Sequence, residues 1–432
     1  MKKWLIIASI HLFFMLPLSS QEGVQFSFYP GERFILTEKQ DLRMRQNGRY
    51  QGFIYREIRS SLGLKATGTG GAEYSGTSYM FQEMKRDAAL LGRRVENSST
   101  ITIVLESDGA YRLPADQLFP LLRSVPRFPS EPVEPGDSWR VSGERMVRAR
   151  EGAPYTRVPL YIEYRYQGEA GSGDAAYHAL TAQYALRYRQ GDDPKGDSRI
   201  SRISGSHKLD IRIPVHYPEK IFMRDTVEEQ YLMTDGTEYT YSGIILTWFD
   251  SPVDYDRREV IRRIVEAGDD FIRDDPETGL PSGPEEGPVE DEFLIPGGGM
   301  LIPEGGLEEG GVVITESEEG LMLSLPDIHF IADSPRILPD EAPRLDLLAR
   351  ALKAAGEATI LIRGHTADVG SRESQIELSY QRAKTILDEM AARGIPPARM
   401  IYEGKGGDMP AASNDTEEGR RQNRRVEVIL LD

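Results

Sequence analysis

The sequence predicts a multidomain chain: a mostly antiparallel β domain, then a flexible acidic linker, then an α/β domain. Three observations carry this. Period-2 apolar runs alternate with turn signals over residues 21–255, a block rich in acids, Gly and Pro occupies 274–310, and strand-type segments alternate with helix-type ones after 312. With 432 residues, 39% of them hydrophobic and 28% charged, the chain can build two or three packed domains.

Composition removes several function classes. A formal charge of −17 argues against nucleic acid as a partner. The absence of cysteine excludes a disulfide framework, a thiolate metal site, a Cys nucleophile and a lipid-modified N-terminal Cys. Six histidines, at 11, 178, 207, 216, 329 and 365, are scattered, so neither a metal centre nor a cofactor is expected.

Residues 1–20 have the layout of a secretory signal. Lys2 and Lys3 precede an apolar run from Trp4 to Leu16, and Pro17-Leu18-Ser19-Ser20 offers small residues for a cut after Ser20. The run is shorter than the ~20 residues a spanning helix needs. An exported, periplasmic protein is the expectation.

Residues 21–255 read as the β-rich domain. Phe34 to Met44 and Tyr50 to Tyr55 flank Asn47-Gly48, a pair that favours a tight hairpin because both residues tolerate positive φ. Further strands are expected at Thr100–Leu105 before Asp108-Gly109, at Val158–Tyr166, Ala182–Tyr188 and Leu209–Val215, and at Tyr239–Trp248 after Asp235-Gly236. Arg and Glu interrupt these runs, which favours a soluble sheet over a membrane barrel. Neither Gly-x-Ser-x-Gly nor His-Glu-x-x-His occurs, so the chain is not expected to be an enzyme.

Residues 256–311 form the divider: a short helix within Tyr255–Phe271, with Val260, Ile261, Ile264 and Val265 on one face, then the linker. Between 274 and 310 there are eleven acids, nine Gly, six Pro and no Lys or Arg, too little apolar matter to offset ordering entropy. A coil of this length averages roughly 30–35 Å end to end, enough to hold two domains apart across a gap.

Residues 312–432 form the α/β domain. Gly320–Leu325 starts it, and Leu338-Pro339-Asp340 opens a helix with Leu345, Leu348 and Leu352 on one face, closed by Gly356. Thr359–Ile362 is a buried strand. A long helix from about Arg372 to Arg393 has Ala383, Ile386, Leu387 and Met390 toward the core, and strands at Met400–Tyr402 and Val426–Leu430 close the domain.

This region contains Gly364-His365-Thr366, Gly370, Leu378-Ser379-Tyr380-Gln381-Arg382-Ala383 and Gly404-Lys405-Gly406. Pro410, Asn414, Thr416, Gly419-Arg420 and Asn423-Arg424-Arg425-Val426 follow. In order and spacing these residues resemble the OmpA-like peptidoglycan-associated domain family, over about residues 320–432. The resemblance implies a mixed four-stranded sheet with helices on one side. It also implies a noncatalytic role, in which the domain binds a peptidoglycan stem peptide and links the cell wall to the outer membrane or to an envelope protein bound by the β-rich domain.

The family holds the stem's diamino acid with a loop Asp and a helix Arg. Arg382 occupies the Arg position, and its planar fork suits a carboxylate. Where the family has Asp after His-Thr, this chain has Ala367, and Asp368 follows one place later. Gln375 stands in place of the usual Asn. Thr366, Leu378, Ser379, Asn414 and Arg424 complete the candidate ligand-binding set. The alternative that Ala367 suggests is a structural scaffold whose degenerate domain binds proteins instead of peptidoglycan.

Overall fold

The computed structural model describes residues 23–85, 93–263, 307–309, 312–317, 319–326, 328, 330–331 and 334–431. The expected signal segment, Ile264 and Val265, and nearly all of the expected linker lie outside them.

Twelve strands form one antiparallel sheet: β1 (Arg33–Gln46), β2 (Arg49–Gly68), β3 (Gly71–Lys85), β5 (Asn97–Leu105), β6 (Tyr111–Arg112), β7 (Leu122–Arg123), β8 (Ser138–Val147), β9 (Thr156–Ala170), β10 (Tyr177–Arg189), β11 (Ile200–Pro214), β12 (Phe222–Met233) and β13 (Glu238–Asp250). Their order is β6-β5-β3-β2-β1-β13-β12-β11-β10-β9-β8-β7. The β1–β2 hairpin turns at Asn47 (φ 49°) and Gly48 (φ 76°), as the Asn-Gly pair predicts.

The sheet curls until its two ends meet: Tyr111 N donates to Ser124 Oγ (2.9 Å), and Phe128 N donates to Asp108 O (2.8 Å). Alternation places one row of each strand inside. On β9 the inner row is Val158, Leu160, Ile162, Tyr164 and Tyr166, all buried, while Arg157, Tyr161 and Arg165 face out. Lys208, Asp210 and Arg212 of β11 and Arg224 and Glu228 of β12 continue the charged outer face. An Arg or Lys facing lipid at mid-bilayer costs about 2–4 kcal/mol, so this is not a lipid-facing surface. Among the described residues no helix is long and apolar enough to cross a membrane.

The C-terminal sheet has seven strands in the order β14-β15-β16-β19-β17-β18-β4. The expected four are its centre: β16 (Gly320–Leu325), β19 (Val426–Leu431), β17 (Ile360–Gly364) and β18 (Met400–Gly404). β14 (Leu307–Glu309), which falls in the stretch read as linker, pairs with β15 (Val312–Ser317). β17 runs parallel to β18, and β18 runs parallel to β4 (Arg93–Arg94), a strand supplied by the N-terminal half of the chain.

Helix α1 (257–263), α2 (Ala342–Ala354) and α3 (Arg372–Ala392) cover one face of this sheet. Val260 and Ile261 of α1, Leu345, Leu348 and Leu352 of α2, and Ala383, Ile386 and Leu387 of α3 pack on Ile360, Ile362 and Val428. The other face presents Leu361, Ile401, Ile429 and Leu431, and Tyr79, Phe81 and Val95 cover it. The expected gap between separate domains is therefore replaced by direct packing. The cause lies in the strands themselves, which are apolar on both faces and need cover on both.

Arg363 sits at this junction, buried, at the end of β17. Its Nε donates to Glu403 Oε1 (2.6 Å), its two terminal nitrogens donate to the two oxygens of Glu319 (2.9 and 3.0 Å), and Glu427 lies 3.6 Å away. Tyr79 of β3 donates its hydroxyl to the same Glu319. Burial opposes ionisation of Glu319, but Arg363 outweighs it and lowers the carboxyl pKa. Removing the cation takes the shared partner from three carboxylates in a low-dielectric junction and leaves Glu403 with Lys405 and Glu427 with Arg425. Arg363→Ala is therefore expected to lower stability by about 3–5 kcal/mol, measured by urea denaturation. A loss under 1 kcal/mol would show that the carboxylates find other partners.

Candidate functional site

The parallel β17–β18 pair ends with Gly364 opposite Gly404, so the loops that follow both strands emerge side by side at the carboxyl edge, where open α/β sheets place ligands. Gly364 allows α3 to approach: a Cβ there would lie 2.2 Å from Ser379 O. Ser371 caps α3 by accepting from Ser374 N.

Side-chain amides staple the two loops together. Asn414 Oδ1 accepts from Asp368 N (3.1 Å) and from Asn423 Nδ2 (2.9 Å). Gln375 Nε2 donates to Asp368 Oδ1 (3.0 Å), and Gln375 Oε1 accepts from Gly407 N (3.2 Å). Thr366 N donates to Gly406 O (2.9 Å), and Lys405 N donates to Gly364 O (3.0 Å). Thr366, Asp368, Gln375 and Asn414 thus meet at one rim.

The other candidates have distinct places. Ser379 is fully buried and its hydroxyl serves the fold, donating to Ile376 O (2.7 Å) and accepting from Gly406 N (2.9 Å). Arg382 is not the solvated side chain that an amphipathic helix usually carries: it is 8% exposed and stacks over Phe330, with Cζ 4.7 Å from the ring centroid. Leu378 is half-buried. Arg424 pairs with Glu417 (3.0 Å) on the short helix α4 (Glu417–Asn423), where Arg420 pairs with the same carboxylate and Arg421 with Glu418. Ala367 is buried, while Asp368 is exposed. Thr366 Oγ1 is buried and has no hydrogen-bond partner among the described residues. His365, beneath the loop, lies 3.1 Å from Glu427. Burial pushes the imidazole pKa down, while His365, Arg425 and Arg363 overcome the burial of Glu427 and hold its carboxyl at about 2.

The β-rich domain hides a polar cluster that the sequence reading missed. His207 of β11 donates from Nδ1 to Asp225 Oδ2 (2.7 Å), places Nε2 3.3 Å from Glu229 Oε1, and stacks on Tyr184 at 4.3 Å. Arg145 of β8 reaches across the interior to within 3.5 Å of Glu229, and Tyr231 donates to Glu229 Oε2 (2.5 Å). Burial disfavours the charged form of both His207 and Glu229. The carboxylates around His207 outweigh this and raise its pKa, while His207 and Arg145 hold Glu229 at about 2. The cluster is closed in by the sheet and reads as a fold-stabilising network. Among the described residues no group of three or more His, Asp or Glu is arranged to hold a metal.

With this geometry in place, comparison with known proteins identifies the C-terminal domain. The OmpA family profile matches residues 329–424. Over 103 residues the chain is 40% identical to the peptidoglycan-binding protein ArfA of Mycobacterium tuberculosis, covering 24% of this chain and 32% of that one. It is 33% identical over 121 residues to the probable lipoprotein YiaD of Escherichia coli (28% of this chain, 55% of the relative). It is 32% identical over 123 residues to the peptidoglycan-associated lipoprotein of Pseudomonas aeruginosa (28% and 73%). The chain therefore spans about a third of the length of the first relative and about half of the second.

The His207 cluster predicts a two-limbed pH profile. The stability that His207 contributes is fully present below the ordinary imidazole value of 6.5 and fades as pH rises through its raised folded value. That from Glu229 is present above the ordinary 4.5 and fades as pH falls toward about 2. Thermal melts across pH should place the highest Tm between these limbs, with His207→Gln flattening the alkaline limb and Glu229→Gln the acid one. Unchanged limbs in both variants would mean that other groups set the profile.

Proposed function

The chain belongs to the OmpA family through its C-terminal domain, and from that premise we propose that it is a noncatalytic envelope protein that binds peptidoglycan stem peptides. Two of its relatives are named for peptidoglycan binding or association. The observation that carries the reading to this chain is the stapled rim at the carboxyl ends of β17 and β18, with Asp368, Arg382 and the orphaned Thr366 hydroxyl on one loop–helix unit.

The diamino acid of a stem peptide offers a carboxylate and an ammonium. Arg382 takes the carboxylate: its plane is fixed by Phe330, so little freedom is lost on pairing. Asp368 takes the ammonium, its carboxylate oriented by the Gln375 amide. This acid is on the exposed rim, so water screens its contact, whereas Arg382 acts from a buried position. Thr366 Oγ1 adds a hydroxyl to the ligand's polar groups. The expected export signal would bring the protein to the periplasm, where the wall is within reach, and the β-rich domain would meet an outer-membrane or periplasmic partner.

Sedimentation of the mature protein with purified peptidoglycan from its own organism tests this. Wild type should co-sediment at physiological salt, without releasing muropeptides. Arg382→Ala should weaken binding roughly 10- to 150-fold, the equivalent of a charged hydrogen bond of about 1.5–3 kcal/mol. Asp368→Ala should cost less, roughly fivefold or under, because an exposed ion pair is worth about 0.2–1 kcal/mol. Wild type that stays in solution would overturn the reading and leave the domain as a protein-binding scaffold, with Ala367 as the residue that departed from wall recognition.

A further inference from the structure

Residues 93–98, which run from β4 into the first residues of β5, contact the rim's supports. β4 extends the C-terminal sheet beside β18, and Val95 N donates to Tyr402 O (2.8 Å). Tyr380 of α3, two residues before Arg382, donates its hydroxyl to Val95 O (2.7 Å), and its ring lies 3.9 Å from the Arg94 guanidinium carbon. Ser98 donates to Glu403 Oε2 (3.0 Å) and accepts from Lys405 Nζ (2.7 Å). Glu96 N donates to Met80 O (2.8 Å), which ties the segment back to its own sheet.

Lys405 begins the loop whose Gly406 and Gly407 bond Thr366, Ser379 and Gln375. One side of the rim therefore hangs on Ser98, and the helix that carries Arg382 hangs on Val95 and Arg94. Without this segment β18 would be an open edge strand, and the loop after it would lose the Lys405–Ser98 bond.

We propose that residues 93–98 are a positioning element of the wall-binding site, so that affinity for peptidoglycan depends on docking of the β-rich domain. This rests on the wall-binding reading above. The β-rich domain is then part of the receptor: a partner that pulled it away would release the wall, and one that held it in place would strengthen the grip.

The chain has no cysteine, which allows a clean test in the full-length protein. Arg94 and Tyr402 are register partners on adjacent strands, about 4.8 Å apart, within the range a disulfide spans. Val95→Asp places a charge in the apolar cluster with Leu361, Ile401 and Ile429 and should undock the domains. Wall binding should fall at least tenfold while both domains keep their melting transitions. Adding Arg94→Cys and Tyr402→Cys under oxidising conditions should recover most of the lost binding, short of the Arg94–Tyr380 contact that the cysteine gives up, and dithiothreitol should abolish the recovery. A purely structural role would not give this redox-reversible readout.

Ser98→Ala, which removes two side-chain bonds and leaves the core untouched, should weaken binding severalfold, and Ser98→Thr should retain it. That pair decides the matter if Val95→Asp fails to fold. Undocking with unchanged wall affinity, or Ser98→Ala equal to wild type, would overturn the proposal and leave the wall-binding reading standing. An Arg94→Cys/Tyr402→Cys protein that cross-links but, like wild type, does not sediment with peptidoglycan would sink the wall reading and this proposal with it.

Discussion

The structure turns on one buried cation. Arg363 closes the last residues of β17, satisfies three carboxylates drawn from β18, β19 and the turn before β16, and through Glu319 reaches Tyr79 of the other domain. A buried ion group of this kind stabilises little compared with an apolar replacement, but it admits few alternative arrangements. Here the hydrogen bond from Tyr79 to Glu319 joins it to the curled sheet. Apolar contacts among Tyr79, Phe81, Leu361, Ile401 and Ile429 supply the burial.

Everything at the rim follows from that arrangement. β17 and β18 end together, Gly364 brings α3 close, and the amides of Gln375, Asn414 and Asn423 hold the loops at hydrogen-bond distance. A site on loops needs such staples, because loops are mobile unless the scaffold over-determines them. Here the scaffold includes Val95 and Ser98, residues from the other domain. On the proposed reading, such shared bonds couple the wall site to the docking of the β-rich domain, since each contact biases the same docked state.

Much of the C-terminal domain was legible because its glycines, caps and apolar faces each have a local cause: Gly364 for close approach, Gly356 and Gly394 (φ 57° and 91°) for helix ends, and Leu345, Leu348 and Leu352 for a helix face. The β-rich domain was legible where inward rows are apolar, as on β9, and illegible where they are charged. β12 was missed because its buried row contains Asp225 and Glu229 beside Met223, Val227 and Tyr231, so the alternation dissolves on a hydropathy reading. β3 was missed because Gly, Ser and Thr dilute its apolar residues. The docking of the two domains was invisible for a related reason: Arg363, Glu403 and Glu319 look like surface charges until their partners are known, and Val95 stands alone in sequence.

The most direct test is amide hydrogen exchange of the full-length protein with and without a soluble muropeptide. Exchange reads local opening at each segment. The account predicts added protection in 366–371 and 404–407 and, together with these, in 93–98 of the β-rich domain. Protection confined to the C-terminal loops would separate the wall site from the docked domain, and no protection at either loop would contradict stem-peptide recognition itself.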